Sequence, residues 1–222
     1  MKILITSGGT AEKIDDVRSI TNSSTGRLGS AIAEAYVNLE SKTQIFYICG
    51  KNAAKPQADV DVIKIDDAKS AQNAISRVLR EHSIDIIIHA MAVSDYCVKG
   101  VSTPDGELVP GSKISSGHDE IVLRLEKTPK IIGMLRGLSP KSTIVGFKLL
   151  SNVPRGTLLD VGHELLVKNN CDFVLANDAA EIVGGTHKGY LIDKNRQYSE
   201  YETKAEIARG IVEATLEHGR DR

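Results

Sequence analysis

The residues best suited to chemistry crowd the N-terminal end of the chain. Residues 6–29 read TSGGTAEKIDDVRSITNSSTGRLG. A short apolar run, Lys2-Ile3-Leu4-Ile5, feeds into Ser7-Gly8-Gly9-Thr10. A loop with two acids and Arg18 follows, then Asn22, four small residues, and a helical pattern beginning near Gly26. Glycines such as Gly9 let backbone N–H groups approach an anion, and the first turn of a helix offers more unpaired N–H groups. Ser24 or Thr25 is placed to cap that helix. Gly29, one turn in, permits close approach of a ligand or tight packing on a strand. A tight turn and a well-capped helix explain some of these small residues. They do not explain Arg18 and Asn22, so the stretch reads as a phosphate site at the junction of a strand and a helix.

Other polar groups follow later apolar runs. Met91-Ala92-Val93-Ser94-Asp95-Tyr96 has the small residues and the acid of a substrate pocket; a turn capped by Asp95 is the plainer reading. Lys113-Ile114-Ser115-Ser116 lies in an irregular segment. A loop lysine is usually just solvated, but one that closes over a phosphate neutralises charge developing during group transfer. Phe147-Lys148 and Ala176-Asn177-Asp178 end two further apolar runs. Ends of several strands sharing one sheet edge are a better indication of a site than any one alone. His89, Cys97 and Cys171 show no ligand-pair spacing and are read as core or surface residues.

The elements that must position these groups follow from periodicity. Strands are expected at 2–6, 43–49, 60–65, 84–89, 142–149 and 172–176, with two short ones near 189–193 and 196–198. Helices are expected at 27–39, 68–81, 129–137, 156–170 and 203–217. On the first, Leu28, Ile32, Ala35 and Leu39 are expected inward. On the second, the inward set is Ala71, Ala74, Ile75 and Val78; on the last it is Ala208, Ile211, Val212 and Thr215. This alternation predicts an α/β fold: a Rossmann-like, doubly wound, mainly parallel sheet with helices on both faces. Residues 92–118 break the pattern, with Pro104, Gly106, Pro110, Gly111 and Gly117 marking an irregular excursion. Residues 120–126 alternate, as an edge strand of a small β-arm would. The whole of 1–222 is read as a single domain with 97–126 as an inserted arm.

Bulk properties narrow the partners. A net charge of −1 over 222 residues provides no global field for nucleic acid or an anionic membrane, so an anion site must be local. Aromatic content of 4% without Trp argues against base-stacking platforms. No nucleic-acid or membrane partner is expected, and no apolar run approaches the ~18 residues of a membrane span. The three cysteines, at 49, 97 and 171, share no CxxC spacing and read as free thiols in a reducing compartment, so a cytoplasmic protein is expected.

Taken together these motifs resemble phosphopantothenate–cysteine ligases. The family pattern of strand, glycine turn and Thr corresponds to Thr6-Ser7-Gly8-Gly9-Thr10. Its Asp-x-x-Arg-x-Ile-[Ser/Thr]-Asn-x-Ser-[Ser/Thr]-Gly run corresponds to residues 15–26, and Ala-Val-x-Asp-Tyr to residues 92–96. Lys113-Ile114, Thr128-Pro129, Gly146-Phe147 and Ala176-Asn177-Asp178 complete the pattern in order over nearly the whole chain. The resemblance implies a free-standing ligase, with no flavin domain and no flavin. It implies a two-step reaction: the carboxylate of 4'-phosphopantothenate attacks a nucleoside triphosphate accompanied by Mg²⁺, and the cysteine amine then displaces the nucleotide from the acyl group. Metal ligands are not identified. It places catalysis on Asn22 and Lys113, and nucleotide phosphate on Gly9, Ser24, Gly26 and Gly29. The base falls near Phe147 and Asn177, and phosphopantothenate near Arg18, Ala92 and Asp95. It also implies a homodimer, with Arg18 reaching across the interface and the 97–126 arm building it.

Residue types suit those roles. Lys113 offers a point charge to the α-phosphate. Asn22, with one carbonyl and one NH₂, can grip the acyl group. There are departures from the family pattern. Met91 precedes Ala92 where many members have alanine, which predicts a tighter pocket. Lys168 is the one lysine left where bifunctional members carry two that help hold the triphosphate. CTP is expected ahead of ATP. Two rival readings remain at this level: an NAD(P)-dependent reductase and a non-enzymatic nucleotide-binding module. The first lacks the G-x-G-x-x-G fingerprint and has a first loop of about 20 residues against the roughly 2–6 typical. The Tyr47/Lys51 and Tyr190/Lys194 pairs sit on no predicted helix. The second predicts that Asn22 and Lys113 do not matter.

Overall fold

The structure, a computed structural model, describes residues 1–39, 42–109, 111 and 113–220. Pro110, one marker of the expected excursion, lies outside the described residues.

Residues 3–7 are buried on both faces of their strand, and Lys2–Ser7 forms β1 at the centre of an 8-stranded sheet. Ala11–Lys13 (β2) and Ser19–Thr21 (β3) make a small antiparallel hairpin. Arg27–Leu39 is α1, followed by strands Gln44–Gly50 (β4) and Asp61–Ile65 (β5) and helix Ala68–Glu81 (α2). Ile86–His89 is β6, and Tyr96–Ser102 (β7) pairs with Val122–Lys127 (β8) in a separate two-stranded ribbon. Ile132–Leu138 (α3), Thr143–Leu150 (β9), Arg155–Asn169 (α4) and Phe173–Asp178 (β10) continue the alternation. Gly189–Asp193 (β11), Tyr198–Tyr201 (β12) and Lys204–Arg220 (α5) close it.

The sheet order is β12-β11-β10-β9-β6-β1-β4-β5, with the last two strands of the chain antiparallel at one edge. The six parallel strands, counted in chain order, run 3-2-1-4-5-6 across the sheet. This is the Rossmann-like, doubly wound arrangement, and its order reverses between β1 and β6. The alternation of β1 divides the core. Ile3 and Ile5 face α1 and α5, with Ile32, Tyr36, Ile207 and Ile211. Leu4 faces α2 and α3, with Ile75, Val78 and Leu135. α4 covers the β10–β11 end through Leu158.

Several expectations are corrected. The α1 face is turned by about one residue: Gly29, Ser30, Ile32, Ala33 and Tyr36 are buried, and Leu39 is exposed. Gly29 lies so close to β1 that an added Cβ would be 2.3 Å from Ser7 Oγ. Tyr36 bonds Thr215 on α5 at 2.6 Å, so close packing and a hydroxyl pair set the rotation rather than the leucines. The inward faces of α2 and α5 are as expected. The excursion at 92–118 contains β7, which the sequence pattern does not announce. α3 begins at residue 132 rather than 129, and β12 begins at 198 because Arg196 sits in the preceding turn with φ 62°.

Candidate functional site

The carboxyl ends of β1 and β6 meet at the point where the strand order reverses, and the chain crosses over itself there. Gly9 forms a parallel bridge with Ala92. The Ala92 N–H donates to Gly8 O at 2.8 Å, and Thr10 N–H donates to Ala92 O at 3.2 Å. Asn22 Nδ2 donates to the same Ala92 carbonyl at 3.3 Å. Asn22 and Ala92, far apart in the chain, therefore share one point. Beneath them Thr10 Oγ1 donates to Ser94 Oγ and accepts from Ser94 N–H, each at 2.9 Å. The floor is buried: Thr10 is fully enclosed and Ser94 is 6% exposed.

The first loop is long because it contains the β2–β3 hairpin. Thr21 Oγ1 ties the hairpin to Thr10 O at 2.8 Å, and Ala11 N–H ties it to Asp66 O at 2.7 Å. The hairpin roofs a cleft of about 600 Å³ lined by Gly9, Asn22, Ser23, Ser24 and Thr25, together with side chains the sequence reading did not select: Lys13, Ser19, Lys51 and Asp66. Gly26 begins α1 with φ 71°, a conformation in which side chains are strained, and its carbonyl accepts the Ser30 N–H. Thr25 Oγ1 accepts from Arg27 N–H at 3.5 Å, and the unpaired N–H groups of this first turn favour an anion. Gly29 is not at the surface of the cleft; it is the helix contact with Ser7.

Lys113 is exposed and is not part of the cleft lining, but its neighbour is tied to the first loop. Ile114 is 3% exposed, and both of its backbone polar groups are bonded to the first loop. Its N–H donates to Asp15 Oδ2 at 3.1 Å, and its carbonyl accepts from Arg18 Nη2 at 2.6 Å. Asp15 Oδ1 accepts the N–H groups of Val17 and Arg18 at 2.8 and 2.7 Å, and Arg18 pairs with Oδ2 at 2.8 Å. Burial acts to raise the Asp15 pKa. The Ile114, Val17 and Arg18 N–H groups and the Arg18 side chain outweigh it and hold the carboxyl down at about 2. The lysine thus stands on a charged clip between two segments about 100 residues apart. Asp15 was not among the selected residues, although an Asp just before its own N–H partners is the pattern of an Asx turn. Arg18, expected to reach a neighbouring subunit, is engaged within the chain by Asp15 and Ile114.

The remaining candidates divide. Phe147 on β9 faces Leu175 across the ladder, and Asn177 lies two residues further along the same face of β10. Asn177 is buried and bonds His187 at 3.2 Å, while the other ring nitrogen of His187 is buried with no partner among the described residues. Burial, with the Lys204 charge adding to it, lowers the His187 pKa to about 4. Asp178 is spent on the N–H groups of Asn152, Val153 and Ala180. Asp95 is exposed and paired with Lys130, outside the cleft lining. The Met91 side chain is 7% exposed and packs in the core with Leu135, so it is not available to tighten a pocket. Lys168 lies in the last turn of α4, which leads into the start of β10, at the opposite edge of the sheet. The structure does not bring it to the cleft. His89 is core, bonded to Thr6 at 2.8 Å. Among the described residues no cluster of three or more His, Cys, Asp or Glu could hold a metal ion.

Comparison with known proteins agrees with this fold. Residues 1–218 match the DNA/pantothenate metabolism flavoprotein C-terminal domain. The coenzyme A biosynthesis bifunctional protein CoaBC of Methanocaldococcus jannaschii is 31% identical over 214 residues, covering 96% of this chain and 49% of that protein. The chain spans about half the length of the curated relatives it matches. Among solved structures, the DNA/pantothenate metabolism flavoprotein from Streptococcus pneumoniae superposes with a TM-score of 0.87 at 36% identity, covering 98% of this chain and 99% of that one. The C-terminal domain of a coenzyme A biosynthesis bifunctional protein CoaBC gives 0.77 at 27% identity, covering 100% and 96%. With a match over nearly its full length, the chain belongs to the DNA/pantothenate metabolism flavoprotein C-terminal domain family.

Proposed function

We propose that this chain is a phosphopantothenate–cysteine ligase that uses a nucleoside triphosphate. In the first step a carboxylate oxygen of 4'-phosphopantothenate attacks the α-phosphorus, the bond to the β-phosphate breaks, and pyrophosphate leaves. In the second, the cysteine amine attacks the acyl carbon, the acyl–oxygen bond breaks, the nucleoside monophosphate leaves, and the amine gives up a proton to solvent.

The observation that carries this reading is the crossing at Ala92. It sets the Asn22 amide beside the glycine turn, and the Asp15–Arg18 clip ties Ile114, next to Lys113, to the same loop. Charge develops on the α-phosphate in the first step, and Lys113 is the cation for it. Asn22 keeps one N–H and its carbonyl oxygen for the acyl group and the incoming amine. Gly9, Ser24 and Gly26 border the phosphates. Phe147 and Asn177, two and three strands from β1 at about 5 Å per strand, are within a nucleotide's length of them. Arg18, Ala92 and Asp95 are assigned to phosphopantothenate. Mg²⁺ arrives with the triphosphate as part of the substrate, which suits a site with few carboxylates.

CTP is the proposed nucleotide, ahead of ATP, with no flavin. A homodimer built through the β7–β8 ribbon is proposed, with exposed Tyr96, Val122 and Leu125 as its apolar surface. Among the described residues no helix is long and apolar enough to cross a membrane, and a cytoplasmic enzyme is proposed. The test is incubation with phosphopantothenate, cysteine, Mg²⁺ and either CTP or ATP, reading pyrophosphate release. The expected result is release with CTP at the higher rate. No release with either nucleotide overturns the ligase.

A further inference from the structure

Two lysines of the cleft, Lys13 and Lys51, have no place in the reading above. Lys13 ends β2, in the roof. Lys51 follows β4, at the same sheet edge as the glycine turn. Among the described residues Lys13 makes no ion pair or side-chain hydrogen bond. Lys51 pairs with Asp66 at 2.7 Å, and both partners are open to solvent, at 66% and 48% exposure. Among the described residues the Asp66 carboxylate has no other partner, whereas its backbone is part of the frame: its carbonyl holds Ala11 of the hairpin, and its N–H donates to Ser70 Oγ. The same cleft wall carries the Ser23, Ser24 and Thr25 hydroxyls and the start of α1.

Two cations, a row of hydroxyls and a helix start are a set of donors for an anion with several charged oxygens. A single phosphate would not fill a space of about 600 Å³. An exposed Lys–Asp pair is weak, because water screens it and both side chains lose freedom in forming it. A phosphate oxygen offers Lys51 a stronger, charge-assisted bond.

We propose that Lys13 and Lys51 grip the β- and γ-phosphates of the nucleotide and then the pyrophosphate that leaves, and that Asp66 holds Lys51 in place until they arrive. This rests on the proposed use of a nucleoside triphosphate. Asp66 acts as a competitor for the lysine, so the empty cleft keeps its cation ordered without binding anions too tightly. On release of pyrophosphate the ion pair re-forms. Lys51 and Lys13 are positioning residues for the diphosphate portion; charge on the α-phosphorus remains the task of Lys113.

The test is calorimetric titration of the whole protein with inorganic pyrophosphate, CTP, CMP and phosphopantothenate. Wild type is expected to bind pyrophosphate, more weakly as salt is raised. Lys51→Ala and Lys13→Ala are each expected to weaken pyrophosphate and CTP binding by about tenfold while CMP changes less than about twofold. Asp66→Asn removes the competitor and is expected to tighten pyrophosphate by about threefold. A purely structural role for the pair predicts the opposite sign for Asp66→Asn. Absence of pyrophosphate binding, equal losses for CMP and CTP, or loss confined to phosphopantothenate would each overturn the proposal. These titrations need no turnover, so they stand apart from the ligase assay.

Discussion

Asn22 spends one N–H on the Ala92 carbonyl and lines the cleft with the rest of its amide. Replacing it with Asp removes that donor and sets a carboxylate against the Ala92 oxygen. The crossing is strained, and a negative charge is placed where an acyl phosphate must lie. The first step, assigned under the proposal to Lys113, should still run. The second loses its amide contact, and we expect kcat of Asn22→Asp to fall about 10²–10³-fold, in the range found for lost transition-state donors. The acyl-nucleotide should accumulate near one per site, detected by mass spectrometry after a burst of pyrophosphate; full turnover would remove Asn22 from the mechanism. Lys113→Gln should instead slow the burst itself. The sequence proposes these two residues because their types suit the chemistry and the spacing around them resembles the family pattern. Met91 and Lys168 were misplaced for a reason visible at the same scale. Spacing fixes which element a residue is on, but not which way the side chain turns at Met91, nor which end of the sheet the last turn of α4 adjoins.

The elements show why some parts of the fold were legible and others were not. α2 carries its own signals: an apolar face at helical spacing and Asp67 capping with Ser70, all local in sequence. β2, β3 and β7 carry almost none. β7 is half exposed, contains Gly100 at a bulge, and finds its partner β8 only some 20 residues later. Its pattern is set by an arm rather than by the core. The Asp15 clip belongs to this class, since it joins a hairpin to a loop that has no periodicity. Its function is positional, and Asp15→Asn tests it. Asn keeps one acceptor but puts an NH₂ toward groups that themselves donate, the Ile114 N–H and Arg18. The 113–114 segment should come free while the sheet stays folded. We expect kcat/KM for the nucleotide to drop about tenfold, as misplacement of a transition-state contact does. Limited proteolysis should cut within 103–121 faster than in wild type. Unchanged cleavage and unchanged kinetics would mean that the clip does not hold Lys113. With the carboxyl held at about 2, the clip is charged across the whole range in which the proposed activity would be assayed, so it adds no pH dependence of its own there.

Across the whole molecule the two edges of the sheet have separate tasks. The carboxyl ends of the strands hold the cleft, and the opposite edge holds the layers together through one buried carboxylate. Asp172 enters β10 with its side chain fully enclosed. It accepts from Ile144 N–H on β9 at 2.8 Å, Arg136 on α3 at 2.7 Å, Lys194 after β11 at 2.9 Å, and His218 on α5 at 3.2 Å. Helices from both faces of the sheet thus meet on one acid. Burial acts to raise its pKa, but the Ile144 N–H, Lys194 and Arg136 outweigh it and hold it below the ordinary value. A folded pKa below the unfolded one contributes stability that is complete above the unfolded value, near 4, and is lost as the pH falls through the folded value. Asp172→Asn removes the charge and leaves Arg136 partly buried without its counter-ion, a change that costs about 3 kcal/mol or more. For a chain of this length that lowers Tm by about 10 °C at pH 7. The gap between wild type and variant should narrow steadily below pH 4, because wild type loses the same interaction by protonation. A gap that stays constant from pH 7 to pH 3 would show that the loss is one of packing and that the charge on Asp172 does not bind the two faces together.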